Sequence, residues 1–230
     1  MTSAVSPWVG RGGRLLCGAL LAGVAGGPSD LLVLDQVPLG PGLPAGWEVR
    51  AVKGFEGPEV EIALVDGRRV VRVAGAGRAG WIHRDLRPIG RREVDSLRWS
   101  WRVLSAPATS DLTTEATDDS PIRLYVIFGN PRAVLGGSGR IIFYSFGNAE
   151  PVGYQERSHV SGRIQVVKVD GAADRGVWRE HVVDPDADYR RIWQRLPPAI
   201  TGIGLMQDTD QTGERAMAEV RWLELFGSGR

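Results

Sequence analysis

The sequence has a single cysteine, Cys17. One thiol cannot form an intramolecular disulfide, and it cannot build a thiolate metal cluster. Cys17 lies inside an apolar stretch at 15–25, behind Leu16 and not behind a small residue, so it does not fit a lipid-attachment signal. Lysine is almost as scarce, with only Lys53 and Lys168, and no block of basic residues occurs. Nucleic-acid binding needs a concentrated positive face, which this interspersed charge does not supply. No apolar run approaches the ~20 residues that a membrane-crossing helix requires. Histidine is limited to His83, His159 and His181, which lack metal-ligand spacing.

The N-terminus reads as an export signal. Arg11 and Arg14 form a basic start without acids. The apolar stretch follows, then the small residues Ala22, Gly23, Ala25, Gly26 and Gly27. An apolar core of about 10 residues suits a cleaved signal and not a span. The expected organisation is a signal peptide at 1–27, a Pro/Gly-rich lead-in at 28–45 and a single domain at 46–227. The expected location is periplasmic or secreted, with no membrane span after cleavage. Removing the two signal arginines leaves 28 − 2 = 26 basic against 27 acidic residues, a net charge of −1.

Beyond the lead-in, short β-like segments recur between turn signals, at 47–52, 60–65, 69–73, 81–86, 94–103, 122–128, 141–146, 164–169, 177–183, 200–206 and 218–226. Asp66-Gly67 between two of them is a hairpin signal. The segments 164–169 and 177–183 read as a pair. Within 94–103, Leu97, Trp99, Trp101 and Val103 fall on alternate positions, the period of a half-buried strand. One helix is expected near 185–196, with Asp184 as cap, Pro185 in the first turn and Pro197-Pro198 as terminator. The implied fold is all-β, an antiparallel β-sandwich of jelly-roll type with one short helix.

Several motifs bear on chemistry. Gly75, Gly77 and Gly80 match dinucleotide-binding spacing, but a strand pattern follows where that motif needs a helix. Gly136-Gly137-Ser138-Gly139 lacks the spacing of a serine nucleophile elbow. Trp99 and Trp101 share a strand face that serves either the core or the stacking of sugar rings. Asp118-Asp119, with Arg123 nearby, reads as a solvated turn or as acids at a cleft. Asp208, Asp210, Thr212 and Glu219 reproduce the spacing of a calcium loop, with Gly213 at the turn position. Strand patterns flank this loop on both sides, and the same residues make a hairpin turn without metal. No cofactor is expected other than a structural calcium at this loop.

Four features together resemble the bacterial family known as domain of unknown function 3047. They are Gly46-Trp47 after the export signal, Leu97-Arg98-Trp99-Ser100-Trp101, Asp118-Asp119 before Arg123-Leu124-Tyr125-Val126, and Asp188-Tyr189 before the 202–213 segment. The resemblance spans about 31–226. Trp193-Gln194 departs from an aromatic-Gly step often found late in the family's helix. The resemblance implies a fold and an exported setting, but no reaction. The expected function is a non-catalytic ligand-binding module, with carbohydrate as ligand class and Trp99, Trp101, Asp118, Asp119 and Arg123 as contacts. A glycoside hydrolase or lyase using Asp118 or Asp119 is the alternative. An envelope structural or assembly protein is another.

Overall fold

Alternating inward and outward side chains make strands that cannot stand alone, because each leaves one apolar face to cover. In the computed structural model, which describes residues 29–89, 94–130 and 139–227, two sheets solve this by packing face to face. The segment 1–27 read as a signal peptide, with Cys17, and Ser138 lie outside the described residues.

The first sheet contains β1 (Ser29–Asp30), β2 (Gly40–Pro41), β4 (Glu59–Val65), β5 (Arg68–Ala76), β7 (Ser96–Ser105), β12 (Arg179–Val183) and β14 (Arg215–Phe226). Its order is β12-β7-β14-β5-β4-β2, with β1 paired to β14. The second contains β3 (Trp47–Ala51), β6 (Ala79–Asp85), β8 (Ser120–Phe128), β9 (Arg140–Phe146), β10 (Gln155–Arg157), β11 (Ile164–Asp170) and β13 (Ile200–Asp208). Its order is β10-β11-β9-β8-β13-β6-β3. The result is the jelly-roll-like sandwich that the strand spacing implied. Pairing is antiparallel except between β9 and β11, which run parallel.

Trp99, Trp101, Leu97 and Val103 of β7 meet Ile122, Leu124, Val126 and Phe128 of β8 in the core between the sheets. The lead-in is part of this core. Leu31, Leu32 and Leu34 are buried in it, and the Leu31 N–H donates to the Leu223 carbonyl at 2.8 Å. Trp47 adds its indole N–H to the Leu31 carbonyl at 2.9 Å.

The helix α1 (Pro185–Trp193) begins where Asp184 accepts the Ala187 N–H, and ends at Gln194 in the left-handed region. It sets Tyr189 against Phe128 and Trp193. The Asp66-Gly67 turn joins β4 to β5, with φ of 49° and 74° at its two central residues. Positive values at both are what a type I′ turn needs.

One pairing read from the sequence is corrected. The segments 164–169 and 177–183 do not pair, since β11 joins β9 and β10 while β12 joins β7 in the other sheet. The chain changes sheets between them around Asp170. The Asp170 carboxylate accepts from Trp101 Nε1 at 2.6 Å, His181 Nε2 at 2.7 Å and Arg179 Nε at 3.2 Å, tying the two sheets at the crossing. The glycine-rich 75–80 segment is also a crossing, from β5 of one sheet to β6 of the other.

Candidate functional site

In the second sheet the inward side chains of β8 belong to the core, so Arg123, Tyr125 and Ile127 face outward. Register then decides their neighbours. Gly204 of β13 lies between His83 of β6 and Tyr125 of β8, and Tyr125 is opposite Phe143 of β9. One row along, Met206 lies between Trp81 and Arg123. Asp208 follows at the strand end, opposite Ser120.

Glycine at 204 has a steric reason. A Cβ there would stand 2.1 Å from the Ile82 carbonyl oxygen and 2.6 Å from Tyr125 Oη. At Gly202 it would stand 2.7 Å from His83 Cε1. The two rings occupy that space and meet across β13, with His83 Nδ1 and Tyr125 Oη hydrogen-bonded at 2.8 Å. Burial pushes the Tyr125 phenol up, and burial together with Arg50 pushes His83 down, so both shifts favour the neutral forms. Trp81 completes the row, edge-on to Tyr125 at 4.9 Å and stacked on Phe143 at 5.5 Å. Trp81 keeps part of its surface exposed, while Tyr125 and Phe143 are buried.

The far side of this row is covered by chain. Leu112 and Tyr154 pack onto it from two loops. Those loops are tied together: Asn148 Nδ2 donates to the Ala108 carbonyl at 2.8 Å, and Glu150 accepts the Leu112 N–H. Beneath them Lys168 and Glu150 form a buried pair at 3.4 Å.

At the acidic end, Arg123 is buried. Its Nη2 donates to the carbonyl and to Oδ1 of Asp118, both at 2.7 Å, and its Nη1 lies 3.5 Å from Asp208 Oδ2. Its guanidinium sits 5.4 Å from the Phe143 ring centre, so the acidic end and the aromatic row share a residue. Burial raises the Asp118 carboxyl even with Arg123 beside it. Asp119 is fully buried and accepts from the N–H groups of Gln211 and Thr212 and from Thr212 Oγ1. Burial, reinforced by Asp210 and Asp119 and opposed by Arg123, pushes Asp208 up to about 8. One oxygen each from Asp119, Asp208 and Asp210 lies within 4.8 Å of the others.

Three sequence-based assignments change here. Trp99 and Trp101 face inward and are 0% and 1% exposed. Trp99 packs on Tyr144 and His181, and Trp101 bonds Asp170, so neither offers a ring to a ligand. The outward aromatics of the opposite sheet went unread in the sequence, because β6, β8 and β9 contribute one or two each and only register aligns them. Glu219 does not join Asp208 and Asp210. It is fully buried between Arg72 at 2.8 Å and Arg102 at 2.6 Å, in the first sheet, because the chain changes sheets between Asp208 and Arg215. Thr212 turns its hydroxyl to Asp119, which takes the place expected of Glu219. Asp118 and Asp119 do not form a pair across a cleft, since one is held by Arg123 and the other by the 211–212 turn.

The model of the family described as "Protein of unknown function (DUF3047)" matches residues 45–224, and the chain belongs to that family. No curated protein matches the sequence. Among solved structures, the chain is similar to the "Cellulose induced protein" at 12% identity and a TM-score of 0.47, covering 80% of this chain and 92% of that one. It is similar to the family 11 xylanase from Neocallimastix patriciarum at 10% identity and 0.43, covering 87% and 99%. A family 29 carbohydrate-binding module complexed with cellulohexaose gives 11% and 0.40, covering 88% and 92%. Values this low carry no argument about fold, ligand or activity.

Proposed function

We propose that this member of a family without an assigned activity is an exported, non-catalytic binding module that takes a carbohydrate beside Trp81. The observation that carries this reading is the partly exposed Trp81 indole, braced by Tyr125 and Phe143 on the outer face of the second sheet. A rigid indole presents apolar area at little entropic cost, and sugars bring apolar C–H faces to such rings with hydroxyls at the edge. Polar partners for those hydroxyls stand next to it on β3: Arg50 pairs in register with Trp81, and Glu48 with His83. Both are exposed and joined to each other by an ion pair.

The hydrolase alternative draws no support from the acids it named, which are occupied as described above. The export signal at 1–27 supports a setting outside the cytoplasm.

Titration against a panel of cell-wall and plant glycans, read by tryptophan fluorescence and calorimetry, tests the reading. Binding to at least one glycan is expected, lost in Trp81→Ala and retained in Trp222→Phe on the other sheet. If no glycan produces heat or changes the fluorescence, the carbohydrate reading is wrong.

A further inference from the structure

We propose that Asp119, Asp208 and Asp210 hold a calcium ion at the end of the second sheet. This does not depend on the carbohydrate reading. Asp119 enters from the chain just before β8, Asp208 ends β13, and Asp210 lies in the loop that follows. Tertiary structure therefore brings Asp119 from a distant position to the local pair Asp208 and Asp210.

Proximity alone would not make a site. The second observation is that Oδ1 of Asp208 and Oδ1 of Asp210 are shut off from solvent and accept no hydrogen bond. Asp208 is only 8% exposed. A buried carboxylate oxygen without a donor or a cation is strongly disfavoured. The loop donors are committed elsewhere: the Thr212 hydroxyl and the N–H groups of Gln211 and Thr212 serve Asp119. Arg123 is the cation at hand, and its close contacts go to Asp118, with Asp208 Oδ2 at 3.5 Å. Arg123 thus reaches Asp118 and Asp208, while the carboxylates of Asp119 and Asp210 crowd against Asp208. A divalent cation among Asp119, Asp208 and Asp210 would supply the positive partner that these buried carboxylates lack.

The donor chemistry selects the ion. All three side chains offer hard oxygens, with no nitrogen or sulfur. Calcium takes such oxygens at about 2.3–2.6 Å in flexible geometry, which bridges pairs separated by up to the 4.8 Å seen here. Magnesium demands about 2.0–2.1 Å and near-ideal octahedral placement, to which oxygens spread over as much as 4.8 Å are poorly suited. Asp119 is pre-set for the task, because the Gln211 and Thr212 groups fix its orientation. An ion there would pin the 208–214 crossing to the start of β8, next to Arg123 and so next to the aromatic row.

The test uses the whole protein, stripped with a chelator and then titrated with calcium chloride or magnesium chloride by calorimetry. Melting curves are recorded with and without free calcium. Calcium should bind with measurable heat and raise the melting temperature, while magnesium should do so far more weakly. Asp210→Asn removes a partly exposed ligand and should lower calcium affinity at least about tenfold while the protein stays folded. Asp119→Asn should do the same. Glu219→Gln should leave calcium affinity unchanged, since that residue sits in the other sheet. Absence of heat and an unchanged melting curve for the wild-type protein in calcium would overturn the proposal. So would tighter binding of magnesium than of calcium. Loss of calcium binding in Glu219→Gln, with Asp119→Asn unaffected, would replace this cluster by the linear loop.

Discussion

Asp119 accepts the Thr212 hydroxyl at 2.6 Å and the Thr212 N–H at 2.8 Å, although 93 positions separate the two residues. This contact joins the start of β8 to the crossing between β13 and β14. The Thr212 oxygen also accepts the Glu214 N–H at 3.2 Å, so one hydroxyl serves both ends of the turn. Thr212→Val keeps the shape and removes both interactions. The expected loss is about 1–2 kcal/mol in urea unfolding, since the acceptor is a charged group. A wild-type midpoint for this variant would show that the backbone N–H bonds alone hold the crossing.

Gly204→Ala places a methyl group into the Ile82 carbonyl and the Tyr125 hydroxyl. The first of these is backbone in a central strand and cannot move aside. We expect a loss of about 3 kcal/mol, with altered near-ultraviolet dichroism from the Trp81–Tyr125 pair. An unperturbed spectrum with native stability would mean that β13 and β6 sit farther apart than described.

Gly67 occupies the second positive-φ position of the β4–β5 turn, at 74°, with nothing near its missing side chain. Strain there comes from the backbone alone. Gly67→Val is expected to cost roughly 1 kcal/mol or more, measured as a drop in melting temperature. A neutral result would argue for a different turn.

Asp170 supplies a pH dependence. Burial alone would raise its carboxyl, but hydrogen bonds from His181 and Trp101, with the charge of His181 and the contact to Arg179, outweigh it and hold the carboxyl below its ordinary value. The unfolded chain then binds more protons than the folded one between the folded and unfolded pKa values. Stability from this group is therefore complete above about pH 4, the unfolded value, and declines as pH falls through the lower folded value. Asp170→Asn should lose about 3 kcal/mol near neutral pH, because it removes the fully buried charge that accepts from Trp101, His181 and Arg179. The gap between wild type and variant should narrow as pH falls below about 4. A gap constant down to the acid transition would assign the loss to packing and not to ionisation.

Much of the fold was legible in the sequence because its signals are local. Alternation at Leu97, Trp99, Trp101 and Val103 marked a strand with one apolar face, and that face is the core. Asp184, Pro185 and the Pro197-Pro198 step bounded the helix, which ends a few residues early, where Gln194 turns left-handed. Asp66-Gly67 marked the hairpin. The family, too, could be read from the order of short motifs, and the family model confirms it over 45–224.

The site was legible only in part. Asp208 and Asp210 stood out because their spacing is local, but spacing could not tell that the chain changes sheets before Glu219. The aromatic row has no linear trace: Trp81, Tyr125 and Phe143 lie on three strands, and a slip of one residue in any of them would turn its ring into the core. Alternation in the sequence determined that each strand has two faces. Which face meets the other sheet, and which carboxylates are left facing one another, was decided by register and by where the chain crosses between the sheets, because those depend on pairings between residues far apart in the chain.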